Sequence, residues 1–456
     1  MSTTSADSQP GDGTAVTSGS NPAELWSLVD KTAFRDCVHC GACVAGCPTF
    51  LETGSESDGP RGRIQLMQAV VEEQIKLDGA VQKHLDLCTQ CRACEASCPF
   101  DVKYGQLFWT FRAAADKAGL AVRRTPPFEQ RLVPRVFSRP DRLRRWIRPT
   151  RFAQRFRLDR ILLASGLWRM MPGRWGRLLT LLPRREKRSA RLPHVLPAKG
   201  KRRARVALFT GCMADALFRQ LHWETARVLQ ENGCEVCVLR SQVCCGALHH
   251  QAGHLSEARE LIEQNTHAFA ANDFDAIVTN FATCGGFLRQ YGSFDMSHFG
   301  GKDTPKDLEA RRRLSARTGD VCEFLDSIGI VPPHGEIPVT ATYHDACQLV
   351  HAQHVRESPR RLLGKIPGLT LTELPESDVC CGAHGLYSFT QPEMADRLGQ
   401  RKLANIERTN ADIVVTSDLM CLLHISRAAR LQKRPLRVVH PIHLLDLSYR
   451  EKPFRP

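Results

Sequence analysis

Residues 37–48 of this 456-residue chain read CVHCGACVAGCP, and residues 88–99 repeat the same cysteine spacing as CTQCRACEASCP. Each stretch is a Cys-x2-Cys-x2-Cys-x3-Cys-Pro run. Three thiolates at this spacing can wrap around one [4Fe-4S] cluster, while the fourth, turned away by the following proline, binds the other cluster. The spacing therefore predicts two clusters with crossed ligands: Cys37, Cys40, Cys43 and Cys98 for the first, and Cys47, Cys88, Cys91 and Cys94 for the second.

Two other uses of these cysteines fit the spacing less well. Zinc sites generally use two separated Cys-x2-Cys pairs, and disulfides between such close neighbours would be strained. The repeated run resembles that of two-cluster bacterial ferredoxins, with an insertion of 40 residues between Cys47 and Cys88. Within this insertion, Ile64, Met67 and Val71 recur at helical spacing and predict a helix over 63–75. We expect residues 22–123 to form a mainly helical, ferredoxin-like domain with two clusters.

The composition is that of a globular protein that keeps its thiols reduced. The chain contains 19 cysteines, and residues 1–22 have neither a basic start nor an apolar run, so we expect no cleaved secretory signal. No segment approaches the roughly 18 consecutive apolar residues of a membrane-spanning helix. We therefore expect a cytoplasmic protein, in which so many thiols indicate metal binding. Residues 1–21, rich in small polar residues, are predicted to be a disordered tail.

One segment accounts for the basic charge of the chain, which has 63 basic and 48 acidic residues. Residues 121–205 contain 26 lysines and arginines but only four acidic residues, and prolines interrupt them repeatedly. We interpret residues 124–204 as an extended linker or docking arm. It would bind an anionic membrane surface, with Trp168 and Trp175 at headgroup depth, or an acidic partner protein. The first alternative implies a peripheral position on the cytoplasmic face of the inner membrane.

A nucleic-acid-binding iron-sulfur protein is an alternative of another class, because aromatic residues are interleaved with the arginines of this arm. Nucleic-acid enzymes typically need a single cluster, held for structure. Two clusters with crossed ligands instead form a path for electrons. The repeated cysteine run therefore favours electron transfer, and we expect no nucleic acid among the partners.

Beyond the arm the sequence repeats itself. A set formed by Cys212, Cys244-Cys245-Gly246 and Cys284 recurs as Cys347, Cys380-Cys381-Gly382 and Cys421, at offsets of 135 to 137 residues. Strand and helix patterns alternate around each set, which is typical of parallel βαβ units. We therefore expect two duplicated α/β domains with parallel sheets, a first half at 205–300 and a second half at 338–450, joined by a linker at 301–337. Such sheets place ligands at the carboxyl ends of their strands.

The two cysteine sets predict a third metal centre. Adjacent cysteines in a loop closed by glycine can both face one site, because glycine permits a close backbone approach. An iron-sulfur or zinc centre would be held by Cys347, Cys380, Cys381 and Cys421, or by the equivalent Cys212, Cys244, Cys245 and Cys284. A metal-free fold that retains the thiols is the alternative. His344 and His424 flank the second set and could complete or orient it.

The repeated pattern resembles the cysteine-rich CCG domain of heterodisulfide reductase and its relatives. That family usually ends the pattern in Cys-x2-Cys, whereas this chain has Phe287 and His424 at the last position. One thiol is therefore missing from each half. Whether His424 replaces the missing thiol of the second half stays open. Three further cysteines, Cys234, Cys237 and Cys322, lie in apolar surroundings and are expected to be buried and inert.

Taken together, the double-cluster domain and the tandem CCG halves resemble the glycolate oxidase iron-sulfur subunit family, over about residues 24–123 and 205–450. The motifs PRGRI at 60–64, YHDAC at 343–347 and HPI at 440–442 add to the resemblance. It implies a subunit that passes electrons from an FAD-containing flavoprotein, which oxidises glycolate to glyoxylate, to a quinone-type membrane acceptor. The iron-sulfur subunits of lactate oxidation and of anaerobic glycerol-3-phosphate dehydrogenase share this domain order and remain alternatives.

The chain lacks the signatures of a site for a hydride-accepting cofactor. It contains neither G-x-G-x-x-G after a strand nor G-x-x-x-x-G-K-[ST]. Without a flavin or nicotinamide site it cannot take a hydride from a 2-hydroxy acid. We therefore expect no catalytic residue in this chain, no activity in isolation, and electron transfer only within a glycolate dehydrogenase complex.

Overall fold

The computed structural model describes residue 26 and residues 29–120, 135–156, 165–166, 174–183 and 189–454. The predicted tail at 1–21 lies outside these residues, as does Trp168. The N-terminal domain is mainly helical, as expected. Its helices are Pro48–Thr53, Pro60–Val71, Gly79–Asp86, Ala93–Ala96 and Tyr104–Lys117, with 3-10 helices at Lys31–Phe34, Ala42–Val44 and Glu56–Asp58.

The helix Pro60–Val71 lies at the centre of this domain. It begins three residues before the predicted 63–75, because a proline occupies its first position, where no backbone hydrogen bond is lost, and it ends four residues earlier, at Val71. Its apolar face, which includes Met67, packs with Phe108 in the core of the domain. Gly62 permits a close approach to the preceding turn, since a Cβ there would lie 2.0 Å from the carbonyl oxygen of Glu56.

The first half is built on a sheet whose strand order is β1-β3-β2-β4-β5. Its strands are β1 (Val195–Leu196), β2 (Ala204–Phe209), β3 (Cys234–Cys237), β4 (Ala276–Thr279) and β5 (Thr318–Asp320). β1 is antiparallel to β3, and the other pairs are parallel. The helices are Met213–Leu217, Arg219–Glu231, Ala247–Gln251, Leu255–Ala270, Ala282–Arg289, Pro305–Arg317 and Val321–Ile328, with 3-10 helices at Tyr291–Ser293 and Met296–Phe299.

The second half repeats this topology with a parallel sheet of order β7-β6-β8-β9. Its strands are β6 (Val339–Tyr343), β7 (Leu369–Thr372), β8 (Ile413–Val415) and β9 (Arg437–Val439). Its helices are Cys347–Val350, Glu357–Leu363, Tyr387–Thr390, Pro392–Glu407, Leu419–Leu431 and Pro441–Tyr449. The order corresponds to β3-β2-β4-β5 of the first half. The predicted pair of α/β domains with parallel sheets is therefore confirmed.

The segment at 301–337, expected to be a linker, instead completes the first half. The helix Pro305–Arg317 leads into β5, which pairs with β4 through the register Ile277 to Thr318. β5 is thus the counterpart of β9 in the second sheet. The first half extends at least to Ile328, where the helix after β5 ends.

The described parts of the basic arm also fold onto the α/β halves and do not form an extended linker. Helices span Pro140–Trp146, Arg148–Arg155 and Arg174–Leu181. Leu143 and Leu182 are buried in the core that the two sheets share. The Arg177 guanidinium donates hydrogen bonds of 2.7 and 3.0 Å to the carboxylate of Asp396 in the second half. The arm therefore spans both halves.

The two halves meet through polar groups at the ends of their strands. The carboxylate of Asp418 accepts hydrogen bonds from the backbone and hydroxyl of Thr283 at 3.0 and 2.8 Å. The side-chain amide of Gln353 donates to the carbonyl of Ala282 at 2.9 Å.

Within the described residues, no helix combines the length and apolar composition that a membrane span requires.

Candidate metal centres

The eight cysteines of the two N-terminal motifs border two neighbouring cavities. The smaller one is lined by Cys37, Cys40, Cys43 and Cys98. The larger one, of about 430 Å³, is lined by Cys47, Cys88, Cys91 and Cys94. Cys94 also reaches the smaller cavity. Each fourth cysteine thus lies beside the three cysteines of the other motif, and this donor set fits two four-iron clusters. The assignment of individual ligands stays a prediction.

The first thiol group lies at the surface. Cys40 is exposed, and Cys37 and Cys43 are half-buried. Two apolar side chains at the same cavity, Val38 and Phe100, are 55% and 54% exposed. Burial, with the neighbouring Cys37 sulfur, raises the pKa of Cys43 to about 11. Metal binding releases the thiol protons, and the bound cation then balances the negative charge of the thiolates.

The second thiol group lies inside the protein, next to a buried positive charge. Arg63 is 1% exposed, and its guanidinium donates to the His84 carbonyl at 2.8 Å and to the Thr49 hydroxyl at 3.0 Å. Burial opposes this charge, but the sulfur of Cys88 and other acidic neighbours hold the pKa of Arg63 above its ordinary value. The Tyr104 hydroxyl donates to the Cys88 sulfur at 3.6 Å. Both groups would stabilise negative charge on a bound cluster.

Arg63 lies in the PRGRI stretch that supports the family resemblance, so the sequence contains a signal for it. Tyr104 has none, because it lies outside the second motif, at the start of the helix Tyr104–Lys117.

The second half is in contact with this interior thiol group. Cys91, Ala93, Cys347 and Cys380 form one buried side-chain cluster. The side-chain amide of Gln348 donates to the Gln90 carbonyl at 3.1 Å. The Tyr387 hydroxyl donates to the Leu87 carbonyl at 2.9 Å. The second CCG set therefore adjoins the second predicted cluster.

The structure gathers the cysteines of each CCG set, all of them buried, into pairs. The sulfur atoms of Cys212 and Cys244 are 3.3 Å apart, those of Cys245 and Cys284 3.4 Å, and those of Cys347 and Cys380 3.8 Å. The remaining pair, Cys381 and Cys421, forms a group with His344 in which the ligand atoms lie within 4.8 Å of one another. Adjacent cysteines thus contact different partners in each loop.

Glycine is required after each cysteine pair. Gly246 and Gly382 have φ of +94° and +84°, in the left-handed region that favours glycine. A Cβ on Gly382 would also lie 3.1 Å from the backbone of Ala395. The backbone N–H of Gly382 donates to the Cys380 sulfur at 3.4 Å. The loop therefore turns sharply enough to direct both cysteines inward.

The other candidate residues are buried. Cys234, Cys237 and Cys322 lie in the hydrophobic core of the α/β halves, as expected. His424 is buried, and its Nε2 lies 2.9 Å from the Ala395 carbonyl oxygen, outside the group of three ligand atoms.

Comparisons with known proteins agree with this architecture. The model of a 4Fe-4S dicluster domain matches residues 33–102, and that of the CCG cysteine-rich domain matches residues 206–289 and 341–426. The probable glycolate oxidase iron-sulfur subunit of Bacillus subtilis is 33% identical over 434 residues, which cover 93% of this chain and 95% of the relative. The glycolate oxidase iron-sulfur subunit of Escherichia coli is 31% identical over 90% of this chain and 93% of its own length.

A shorter relative matches half of the chain. Lactate utilization protein A of Geobacillus kaustophilus is 33% identical over 53% of this chain and 98% of its own length. The two glycolate oxidase iron-sulfur subunits match along nearly the whole sequence, at 31% identity or more. This chain belongs to the family of glycolate oxidase iron-sulfur subunits.

Proposed function

We propose that this chain is the electron-transfer subunit of a glycolate dehydrogenase complex. It takes electrons from an FAD-containing subunit that oxidises glycolate to glyoxylate, and passes them toward a quinone-type acceptor. The observation that carries this proposal is the sequence of three thiol groups. One is exposed, one is buried beside Arg63, and the third, around Cys380, adjoins the second through Cys91.

The first two groups would hold the [4Fe-4S] clusters with crossed ligands. The first is bound by Cys37, Cys40, Cys43 and Cys98, and the second by Cys47, Cys88, Cys91 and Cys94. A bound cluster supplies reversible one-electron transfer. The protein's own part is to keep water from the interior group, to compensate its charge through Arg63 and to donate a hydrogen bond from Tyr104 to the Cys88 sulfur.

We propose that the flavoprotein docks at the exposed group. Cys40 is at the surface there, flanked by the exposed apolar side chains of Val38 and Phe100. Docking would cover these side chains and bring the flavin close to the first cluster. The buried second group has no comparable exposure, which supports electron flow from the first cluster inward.

A third centre in the CCG region would take the electrons onward. The set Cys347, Cys380, Cys381 and Cys421 has the stronger support, because it adjoins Cys91 and includes a group with His344. Thiolates and imidazole suit iron-sulfur clusters and zinc. An iron-sulfur centre would extend the electron path, whereas zinc would hold the fold.

The basic arm is proposed to contact an anionic membrane surface on the cytoplasmic face, near a quinone. Trp146, Phe152 and Phe156 are 51%, 63% and 57% exposed, and the two phenylalanine rings pack edge to face with their centroids 4.9 Å apart. Exposed aromatic and basic residues together favour an interfacial position. Some arginines are engaged within the protein, such as Arg177 with Asp396, so the remaining ones would supply the attraction.

Lactate oxidation is the second candidate, because lactate utilization protein A shares 33% identity with about half of the chain. Oxidation of glycerol 3-phosphate is the third candidate, because the iron-sulfur subunit of its anaerobic dehydrogenase shares the domain order. Purification of the complex with its flavoprotein decides among them. We expect glycolate, and neither lactate nor glycerol 3-phosphate, to bleach the clusters of that complex. Bleaching by another of these substrates, or dye reduction by the flavin-free chain alone, would refute the assignment.

A further inference from the structure

We propose that Nε2 of His344 is a metal ligand of the second half, together with the sulfur atoms of Cys381 and Cys421. The inference rests on the proposed third centre and specifies it. His344 directly follows β6, at the carboxyl end of a strand, where parallel α/β sheets place their ligands. Its backbone N–H donates to the Val415 carbonyl at 2.9 Å, which fixes its position between two strands.

The hydrogen bond of the other ring nitrogen sets the tautomer. Nδ1 of His344 lies 3.0 Å from the Ser377 carbonyl oxygen. A carbonyl only accepts, so Nδ1 carries the proton and Nε2 presents a lone pair. Metal-bound histidines almost always donate their second ring N–H in this way.

The lone pair points into a buried site. His344 is fully buried, and its Nε2 has no nitrogen or oxygen partner among the described residues but interacts with the Cys381 thiol. It lies within 4.8 Å of the Cys381 and Cys421 sulfur atoms. Ligands of one tetrahedral zinc ion lie about 3.5 Å apart, given metal distances of about 2.0 to 2.3 Å. Small side-chain movements would therefore close the site around a thiophilic metal, either zinc or an iron of an iron-sulfur centre.

The sequence leaves both histidines open, and His424 occupies the position of the family's missing cysteine. The structure turns its Nε2 toward the Ala395 carbonyl instead, and its Nδ1 lies outside the group. In the first half, the position equivalent to His344 is the buried Phe209. The nitrogen ligand is thus specific to the second half, and it is not the residue at the position of the missing thiol.

Metal analysis and nitrogen spectroscopy of the full-length protein, purified anaerobically, test this assignment. For an iron centre the probe is pulsed electron paramagnetic resonance with 15N-histidine labelling, and for zinc it is X-ray absorption at the zinc edge. We expect a histidine nitrogen signal in the wild type. His344→Gln should abolish this signal and should also lose most of the metal of the third centre. The matched variant His424→Gln should keep both. The iron of the two N-terminal clusters reports on folding in every variant.

If His344→Gln does not fold, His344→Cys decides, because it should retain the metal and lose only the nitrogen signal. A third centre without histidine nitrogen, or one whose nitrogen survives both His344 variants, overturns the His344 assignment alone. Wild-type protein with about eight iron atoms and no zinc overturns the third centre itself. The path through the two N-terminal clusters would still stand in that case.

Discussion

Cys91 of the N-terminal domain and Cys380 of the second half pack in one buried cluster of side chains. Burial, with the nearby Cys380 sulfur, raises the pKa of Cys91 well above its ordinary value. A metal bound here would replace the protons that such buried thiols otherwise keep. The contact therefore favours the second half over the first as the continuation of the electron path.

Replacing Cys98 with serine should damage the cluster of the first motif and spare that of the second. Cys98 is the fourth cysteine of the second motif but lines the cavity with Cys37, Cys40 and Cys43. Iron quantification and electron paramagnetic resonance of the partly reduced protein would show which signal is lost. Cys88→Ser is the matched variant and should damage the other cluster. The opposite pattern would rule out crossed ligation.

Arg63→Met should lower the reduction potential of the second cluster by tens of millivolts. A nearby positive charge stabilises the reduced, more negative form, and about 59 mV corresponds to a tenfold change for one electron. The variant also loses the hydrogen bonds to His84 and Thr49. Arg63→Lys keeps the charge, so its potential should change less. Potentiometric titration measures both, and equal shifts would exclude the charge effect.

Gly382→Ala should lower thermal stability and deplete the third centre. Alanine is strained at φ of +84°, and its Cβ would meet the backbone of Ala395 at 3.1 Å. We expect a loss of about 1–3 kcal/mol. Gly364→Ala is the control, since Gly364 has φ of −64° and a Cβ there would lie at least 3.4 Å from its neighbours, at ordinary contact distance. Calorimetry with metal analysis would show the difference, and two equally stable variants would contradict it.

Asp396→Asn should loosen the arm helix Arg174–Leu181. Burial opposes the charge of Asp396, but Arg177 and Arg427 hold its pKa below the ordinary 3.8. Because the folded pKa is the lower one, these ion pairs stabilise the protein above pH 3.8 and lose this effect as the pH falls through the folded value. The wild type should therefore be more stable than the variant at pH 7, with the difference vanishing in acid.

Hydrogen exchange at neutral pH should show faster exchange over 174–181 in Asp396→Asn. Asp378→Asn is the control, because its partner Arg356 is 45% exposed. A gap between wild type and Asp396→Asn that persists in acid would argue against the ion pairs.

The double variant Phe152→Ser and Phe156→Ser should weaken binding to anionic vesicles. Each basic residue near such a surface contributes about 1 kcal/mol, and the exposed aromatic rings add apolar contact. Flotation at low and high salt measures this, with Val331→Ser, also an exposed apolar residue, as the control. Binding that is absent, or that salt leaves unchanged, would remove the membrane from the proposal.

The cysteine spacing, the repeat and the alternating strand and helix patterns were enough to predict the helical N-terminal domain and the two α/β halves, because each of these patterns can be read directly along the sequence. β5 was not predictable in this way. Its three residues form a strand only because β4 lies beside them. The anchoring of the arm depends on Arg177 and Asp396, which are 219 residues apart. Likewise, the sequence left both His344 and His424 open at the third centre, whereas the folded chain brings His344 to Cys381 and Cys421.

The short strand β1 has a protective role. It pairs with the outer side of β3, with Val195 opposite Cys237. An uncovered strand edge invites pairing with another chain, and β3 carries two thiols, Cys234 and Cys237, that are buried in the folded protein. Removing β1 would therefore leave an edge at Val236 and Cys237 that invites pairing with another chain. The end of the basic arm thus covers the first sheet against self-association.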